Sequence, residues 1–338
     1  MVQKRIEILD ILRGFALLGI ILVNVKGMTF MRLIIPNGGV DAWYDSFLSI
    51  FVESKFFAIF STLFGIGFYI FMERARQKSQ NKLALYIRRL VILLVFGVFH
   101  TFLQPGEALK IYAVVGLLLL LFYYLKKEIN LVIGLALLVV MLILDDKILL
   151  VIPYFILGLT LGQYGLFEKL KMYDHRLKQC WAITSMLALV SFILLSIFYA
   201  YPNFKVAETA GIVGEQYVQS KYLFDYIVTL TSPVISLFYV LTIIIIAQTE
   251  IGHKLLSPLK YYGRLALTNY IGQTLLMLVY TQLIFKGSVS LTHSLIMCLV
   301  IYVIQIAFSK VWLTYFTYGP LEYIWRCGTY MRVIKIKK

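Results

Sequence analysis

Histidine is the side chain that exchanges protons nearest neutral pH, and only four occur among the 338 residues. His100 stands apart, because it closes an apolar run just before Gln104-Pro105-Gly106-Glu107. It lies eleven positions past Arg89, as Asn24 lies eleven past Arg13. In regular helices both side chains stand about 16 Å above their basic anchors. At that shared depth an imidazole can act as general base, a carboxamide can orient a carbonyl, and Glu107 can supply a carboxylate. Glu53 and Lys55 sit on another apolar run, about 30 Å from Arg74 if that run is helical. With Glu107 they outline a polar vestibule above Asn24 and His100, since ionisable groups at such depth usually face an interior. Structural readings stand beside these: a hydrogen-bonded core histidine, an asparagine that packs helices, a rim pair that anchors one. His175, His253 and His293 fall in loops or at a helix end and receive no role.

Asp10 and Arg13 are one helical turn apart and can pair. Arg13, Arg264 and Arg326 can gather at one face and hold phosphates, because a guanidinium binds them in bidentate fashion. No P-loop or dinucleotide-binding glycine motif accompanies them. Cys180, Cys298 and Cys327 fall at or inside helix ends, with neither disulfide nor metal-ligand spacing, so no metal is expected.

These groups must be positioned by helices in a membrane. The chain is 61% hydrophobic and 14% charged, against roughly 25% charged in an ordinary soluble domain. A spanning helix needs about 20 apolar residues. Ile11 to Met31, Phe47 to Met72, Cys180 to Tyr199, Tyr226 to Ala247, Leu265 to Phe285 and Thr292 to Trp312 all qualify. Leu90 to Leu103, Ile111 to Leu125, Ile129 to Leu144 and Ile148 to Phe167 follow the same grammar, which predicts an all-α polytopic protein of about ten spans. The stretch from Leu90 to Leu125 must cross twice and turn within 36 residues. Either Arg88 and Arg89 snorkel to extend its first helix, or the turn lies below the surface, lining a cavity.

The net charge of +15 follows the membrane. Lys4, Arg5, Arg74, Arg76, Lys126, Lys127, Lys169, Lys254 and Lys260 fall in alternate gaps, and Asp41, Asp45, Glu107, Asp145 and Glu208 in the others. The basic side is therefore expected to be cytoplasmic, with both termini on it. The charge marks orientation and contact with anionic lipid, not nucleic-acid binding. No linker divides the chain, so residues 1–338 are read as one membrane domain. Residues 200–225 form its long outer loop and 313–338 a basic cytoplasmic tail.

Several blocks resemble a known family. Leu9-Asp10-Ile11-Leu12-Arg13-Gly14, running on to Val23-Asn24, is similar to the opening of the YeiB-like bacterial membrane proteins. Lys55-Phe56 to Gly67, Gly97 to His100 with Gly106-Glu107, Gly263-Arg264 to Asn269-Tyr270, and Gly319-Pro320 to Arg326 continue the likeness. That family looks related to transmembrane acyltransferases, including heparan glucosaminide acetyltransferase and sugar O-acetylases. The resemblance implies transfer of an acyl group, acetyl in those enzymes, from cytosolic acyl-CoA to an extracytoplasmic hydroxyl or amine of a small molecule, glycan or lipid headgroup. Asp10, Arg13, Arg264 and Arg326 would hold the donor, His100, Asn24 and Glu107 would do the chemistry, and Glu53, Lys55 and Asn269 would meet the acceptor. The setting would be the bacterial cytoplasmic membrane, with lipids as partners and a homodimer allowed. Two departures matter: Lys26 to Ser46 lacks the histidine that follows the first helix of the heparan enzyme, and the family's usual Gly-Asp is Gly106-Glu107. A transporter using Glu53, Lys55, His100 and Glu107 as its pathway is the alternative, and a non-catalytic immunity protein is a third.

Overall fold

Backbone amides and carbonyls in hydrocarbon must bond within their own segment, and helices satisfy that requirement. The computed structural model describes residues 6–338 apart from 29, 35, 37, 79–80, 202–203 and 286. Lys4 and Arg5 therefore lie outside the described residues. Among those described, every regular element is a helix: α1 (Glu7–Asn24), α2 (Gly39–Phe47), α3 (Lys55–Gln77), α4 (Lys82–Thr101), α5 (Ala108–Tyr123), α6 (Lys127–Ile143) and α7 (Val151–Gln163), then α8 (Asp174–Ile197), α9 (Phe204–Thr209), α10 (Gly214–Gln248), α11 (Glu250–Arg264), α12 (Ala266–Val279), α13 (Leu291–Tyr315) and α14 (Pro320–Tyr330). Six helical stretches are long and apolar enough to cross a membrane, and α5 and α7 are shorter apolar helices. Val132, Met186 and Val303 are among many large apolar side chains left exposed, as lipid-facing surfaces require. The protein is a multi-pass membrane protein.

Four elements are defined more closely than the sequence reading gave them. The second apolar run is broken, because Ser54 adopts a left-handed backbone after a π-helical turn at Leu48–Val52. Within residues 200–225, read as the outer loop, α10 begins at Gly214. Its first turns carry helix-stabilising contacts four residues apart, Gln219 to Glu215 at 3.0 Å and Lys221 to Asp225 at 2.5 Å. In the tail 313–338, α14 packs on α4 and α12. Finally, α4 starts at Lys82, where Asn81 accepts from Ala84 N at 3.1 Å as its N-cap. Its 20 residues leave Arg88 and Arg89 inside the helix.

The core is organised by close backbone approach. Helix α11 crosses α1 where Gly263 meets the Asp10 carbonyl and Gly14 meets the Leu259 carbonyl; a Cβ at either glycine would overlap those atoms. Small residues let helices in lipid approach this closely. Arg13 and Arg264 adjoin the two glycines, so the contact that packs the helices also brings these cations to one cavity. Gly263→Val should therefore lower stability by about 1–3 kcal/mol or more through overpacking, read as a fall in the thermal unfolding midpoint of the detergent-solubilised protein.

Candidate active site

Glu107 is fully buried and bonds in two directions. Oε1 accepts from Leu109 N at 2.5 Å and caps α5, where the positive end of the helix dipole favours a carboxylate. Oε2 pairs with Nδ1 of His100, the last-turn histidine of α4. An ionised carboxylate only accepts, so this partner assigns the proton to Nδ1. Nε2 is then the acceptor, and Thr274 Oγ1 lies 2.9 Å from it, donating from α12. Tyr270, one turn earlier on α12, sets its ring edge-to-face on the imidazole at 5.2 Å. Its hydroxyl lies 3.4 Å from both Glu107 oxygens.

Below this cluster runs a cavity of about 370 Å³, within the range of small-molecule sites. Its walls come from α1, α3, α4, α5, α11, α12, residues 317–318 and α14. At one end stand Arg13, Arg74, Lys78, Arg89, Arg264 and Arg326, six cations against the carboxylates of Asp10 and Glu322. Phe60, Leu63, Phe64, Leu93, Leu109 and Tyr112 line the other. Along α3 the distance from Arg74 to Phe60 is about 21 Å. Tyr112 and Tyr270 both line the cavity, so Tyr270 belongs to the cavity wall and to the His100–Glu107 cluster.

The cations are held in place. Arg13 pairs with buried Asp10 at 3.0 Å, and Arg264 Nη2 donates to the Thr317 carbonyl at 3.0 Å. Arg89 stacks over Trp325 at 3.6 Å and lies 5.0 Å from Phe71, while Trp325 Nε1 donates to the Arg89 carbonyl at 2.7 Å. Arg326 lies 4.3 Å over Tyr318. Glu322 docks α14 on α12, accepting from Leu267 N at 2.8 Å, Thr268 N at 3.1 Å and Thr268 Oγ1 at 2.5 Å. Burial raises the Glu322 carboxyl above its ordinary range, against the pull of those bonds.

Three sequence candidates sit elsewhere. Glu53 pairs with Lys147 at 3.5 Å, and Lys55 is buried with Nζ donating to the Ser49 carbonyl at 3.1 Å. The break at Ser54 gives each its own partner, and neither lines the cavity. Asn269 is consumed in packing: Nδ2 donates to the Tyr262 carbonyl and Ser309 Oγ, and its carbonyl accepts from Gln305. Conversely, Thr274, Tyr270, Arg74, Arg89 and Trp325 carry the site without having been singled out. The signal for Tyr270 and Thr274 was their spacing of four on a helix, which puts both on one face.

An all-helical membrane protein with a one-sided basic cavity and a buried His–Glu pair is the class these features define. The chain belongs to the YeiB-like family described as protein of unknown function (DUF418), whose model matches residues 161–332. It is 43% identical to an uncharacterised 39.9 kDa protein in the amylase 3′ region of Bacillus acidopullulyticus, over 99% of this chain and 96% of that one. Uncharacterised protein YxaH of Bacillus subtilis (strain 168) is 26% identical over 97% and 95% of the two chains. Uncharacterised protein YeiB of Escherichia coli (strain K12) is 32% identical over 34% and 30%. No solved structure matches this chain.

Glu107→Ala removes a helix cap and leaves buried His100 Nδ1 without its acceptor. It should lower stability by about 1–3 kcal/mol, whereas exposed-pair Glu53→Gln should stay within about 0.5 kcal/mol. Thermal unfolding of both purified variants checks the contrast.

Proposed function

We propose that the protein is a transmembrane acyltransferase of the bacterial cytoplasmic membrane, taking acyl groups from cytosolic acyl-CoA and placing them on an extracytoplasmic hydroxyl or amine. One observation carries the reading: a cavity with six cations at one end reaches, at its other end, the tyrosine that touches the His100–Glu107 pair. The residues fit such a donor. Arg13, Arg264, Arg326 and their neighbours suit its phosphates, the exposed guanidinium and aromatic faces suit its base, and the apolar bore suits its pantetheine arm. The thioester supplies an activated acyl carbon; the rest of the chemistry belongs to the chain.

In this reading His100 Nε2 removes the proton of the attacking group, and Glu107 holds the imidazole in the required tautomer and stabilises the imidazolium. Asn24 and Tyr270 supply hydrogen-bond donors near the carbonyl oxygen, where exclusion of water strengthens them. Ten spans in a single domain, with both termini cytoplasmic, put the cations on the cytosolic side. A reporter fused after Lys338 or inserted near Lys78 should then report cytoplasm, and one near Gly211 the outside; an outside signal at Lys78 would overturn this orientation.

The same one-sided cavity favours a second reading, a transporter of an organic anion held between its two accessible states. Labelled acetyl-CoA separates them. Under the first reading the purified protein binds it and slowly hydrolyses it even without an acceptor. His100→Gln should then lower turnover per folded molecule by about 100- to 10,000-fold with little change in affinity, whereas Arg264→Ala and Arg326→Ala should weaken binding. Absence of CoA binding at millimolar concentration would leave the transporter.

A further inference from the structure

We propose that Thr274 is the nucleophile of a Thr274–His100–Glu107 triad, which carries the acyl group as an ester between donor and acceptor. This rests on the acyl-donor reading above and deepens it. Three elements bring the groups together: Glu107 at the head of α5 binds Nδ1 of His100 on α4, and Nε2 faces Thr274 Oγ1 of α12 at 2.9 Å. A buried carboxylate, an imidazole held by it and a hydroxyl on the far ring nitrogen form the constellation that activates a hydroxyl for acyl transfer on unrelated folds.

The hydroxyl is presented to the base rather than to its own helix. Thr62, Thr160 and Thr281 donate to carbonyls four residues earlier, the common outcome for a helical threonine in an apolar setting. Thr274 makes its bond to His100, 174 positions away in sequence.

Placement gives the threonine a task. Tyr270 lines the cavity, and Thr274 lies one helical turn beyond it, about 6 Å further along α12 and away from Arg264. Direct transfer would require donor and acceptor to share one continuous space across the membrane. An ester on Thr274 divides the transfer into two half-reactions, one with the donor and one with the acceptor.

In the first, Thr274 Oγ1 attacks the thioester carbonyl carbon and His100 Nε2 takes the hydroxyl proton. The C–S bond breaks, and the imidazolium returns that proton to the leaving sulfur. In the second, the acceptor oxygen or nitrogen attacks the ester carbonyl and gives its proton to Nε2. The C–O bond to Thr274 breaks, and the proton goes back to Oγ1. Tyr270 and Asn24 hold the carbonyl oxygen in both.

The test uses the full chain in lipid nanodiscs, incubated with labelled acetyl-CoA and with octanoyl-CoA, quenched in acid and mapped by peptide mass spectrometry. The expected result is one acyl group on Thr274 in the wild type, one on the new hydroxyl in Thr274→Ser, and none in Thr274→Val or His100→Gln. All four proteins should bind CoA alike by calorimetry, which shows that the variants are folded. Acyl label on His100 or elsewhere, or full turnover by Thr274→Val, overturns the triad while leaving the acyltransferase reading intact. A wild type that neither binds CoA nor releases it from the thioester overturns both.

Discussion

At Gly263 the Asp10 carbonyl occupies the place a side chain would need, and that contact lays α11 across α1. Everything downstream inherits the position. Arg264, the next residue, faces the same cavity as Arg13. Helix α12 starts two residues later, and its first amides are bound by Glu322 of α14. Tyr270 and Thr274 then arrive within about three turns of the crossing, where α4 ends and α5 begins. Lengthening a side chain at the crossing would displace the chemistry as well as the packing.

Two carboxylates do the remaining positioning. A carboxyl withdrawn from water is costly unless its lone pairs are engaged, so each partner it takes is held firmly. Glu107 uses one oxygen to cap α5 and the other to orient His100. Glu322 binds two amides and a hydroxyl at the head of α12 and so ties α14 to it. In both cases a helix terminus with unmet amides supplies the site for the carboxyl group. Local helix termination and active-site geometry are therefore set by the same bonds.

The cavity is polarised along its length, and this decides what it suits. Guanidinium and aromatic faces at one end favour a planar, polyanionic group; phenylalanines and leucines further in favour a thin, weakly polar arm. Tyr270 lines that bore and also touches His100 and Glu107.

The helical class, the apolar spans and the distribution of charge along the chain were all legible locally, from hydropathy and residue order. The motif residues around Arg13, Arg264 and Arg326 were equally legible, and their gathering at one cavity followed from the glycines beside Arg13 and Arg264. Tertiary structure alone decided who meets whom. Lys55 and Glu53 are two residues apart, yet a left-handed Ser54 sends them to Ser49 and Lys147. Residues 214–225 extend α10 instead of looping, and the basic tail folds back as α14 to wall the cavity. Thr274 reads in sequence as one more helical threonine; it becomes the partner of His100 because the packing of α4, α5 and α12 turns its hydroxyl away from its own backbone. A hydrogen bond forms where two side chains converge within about 3 Å, and no spacing along the chain encodes that distance between helices.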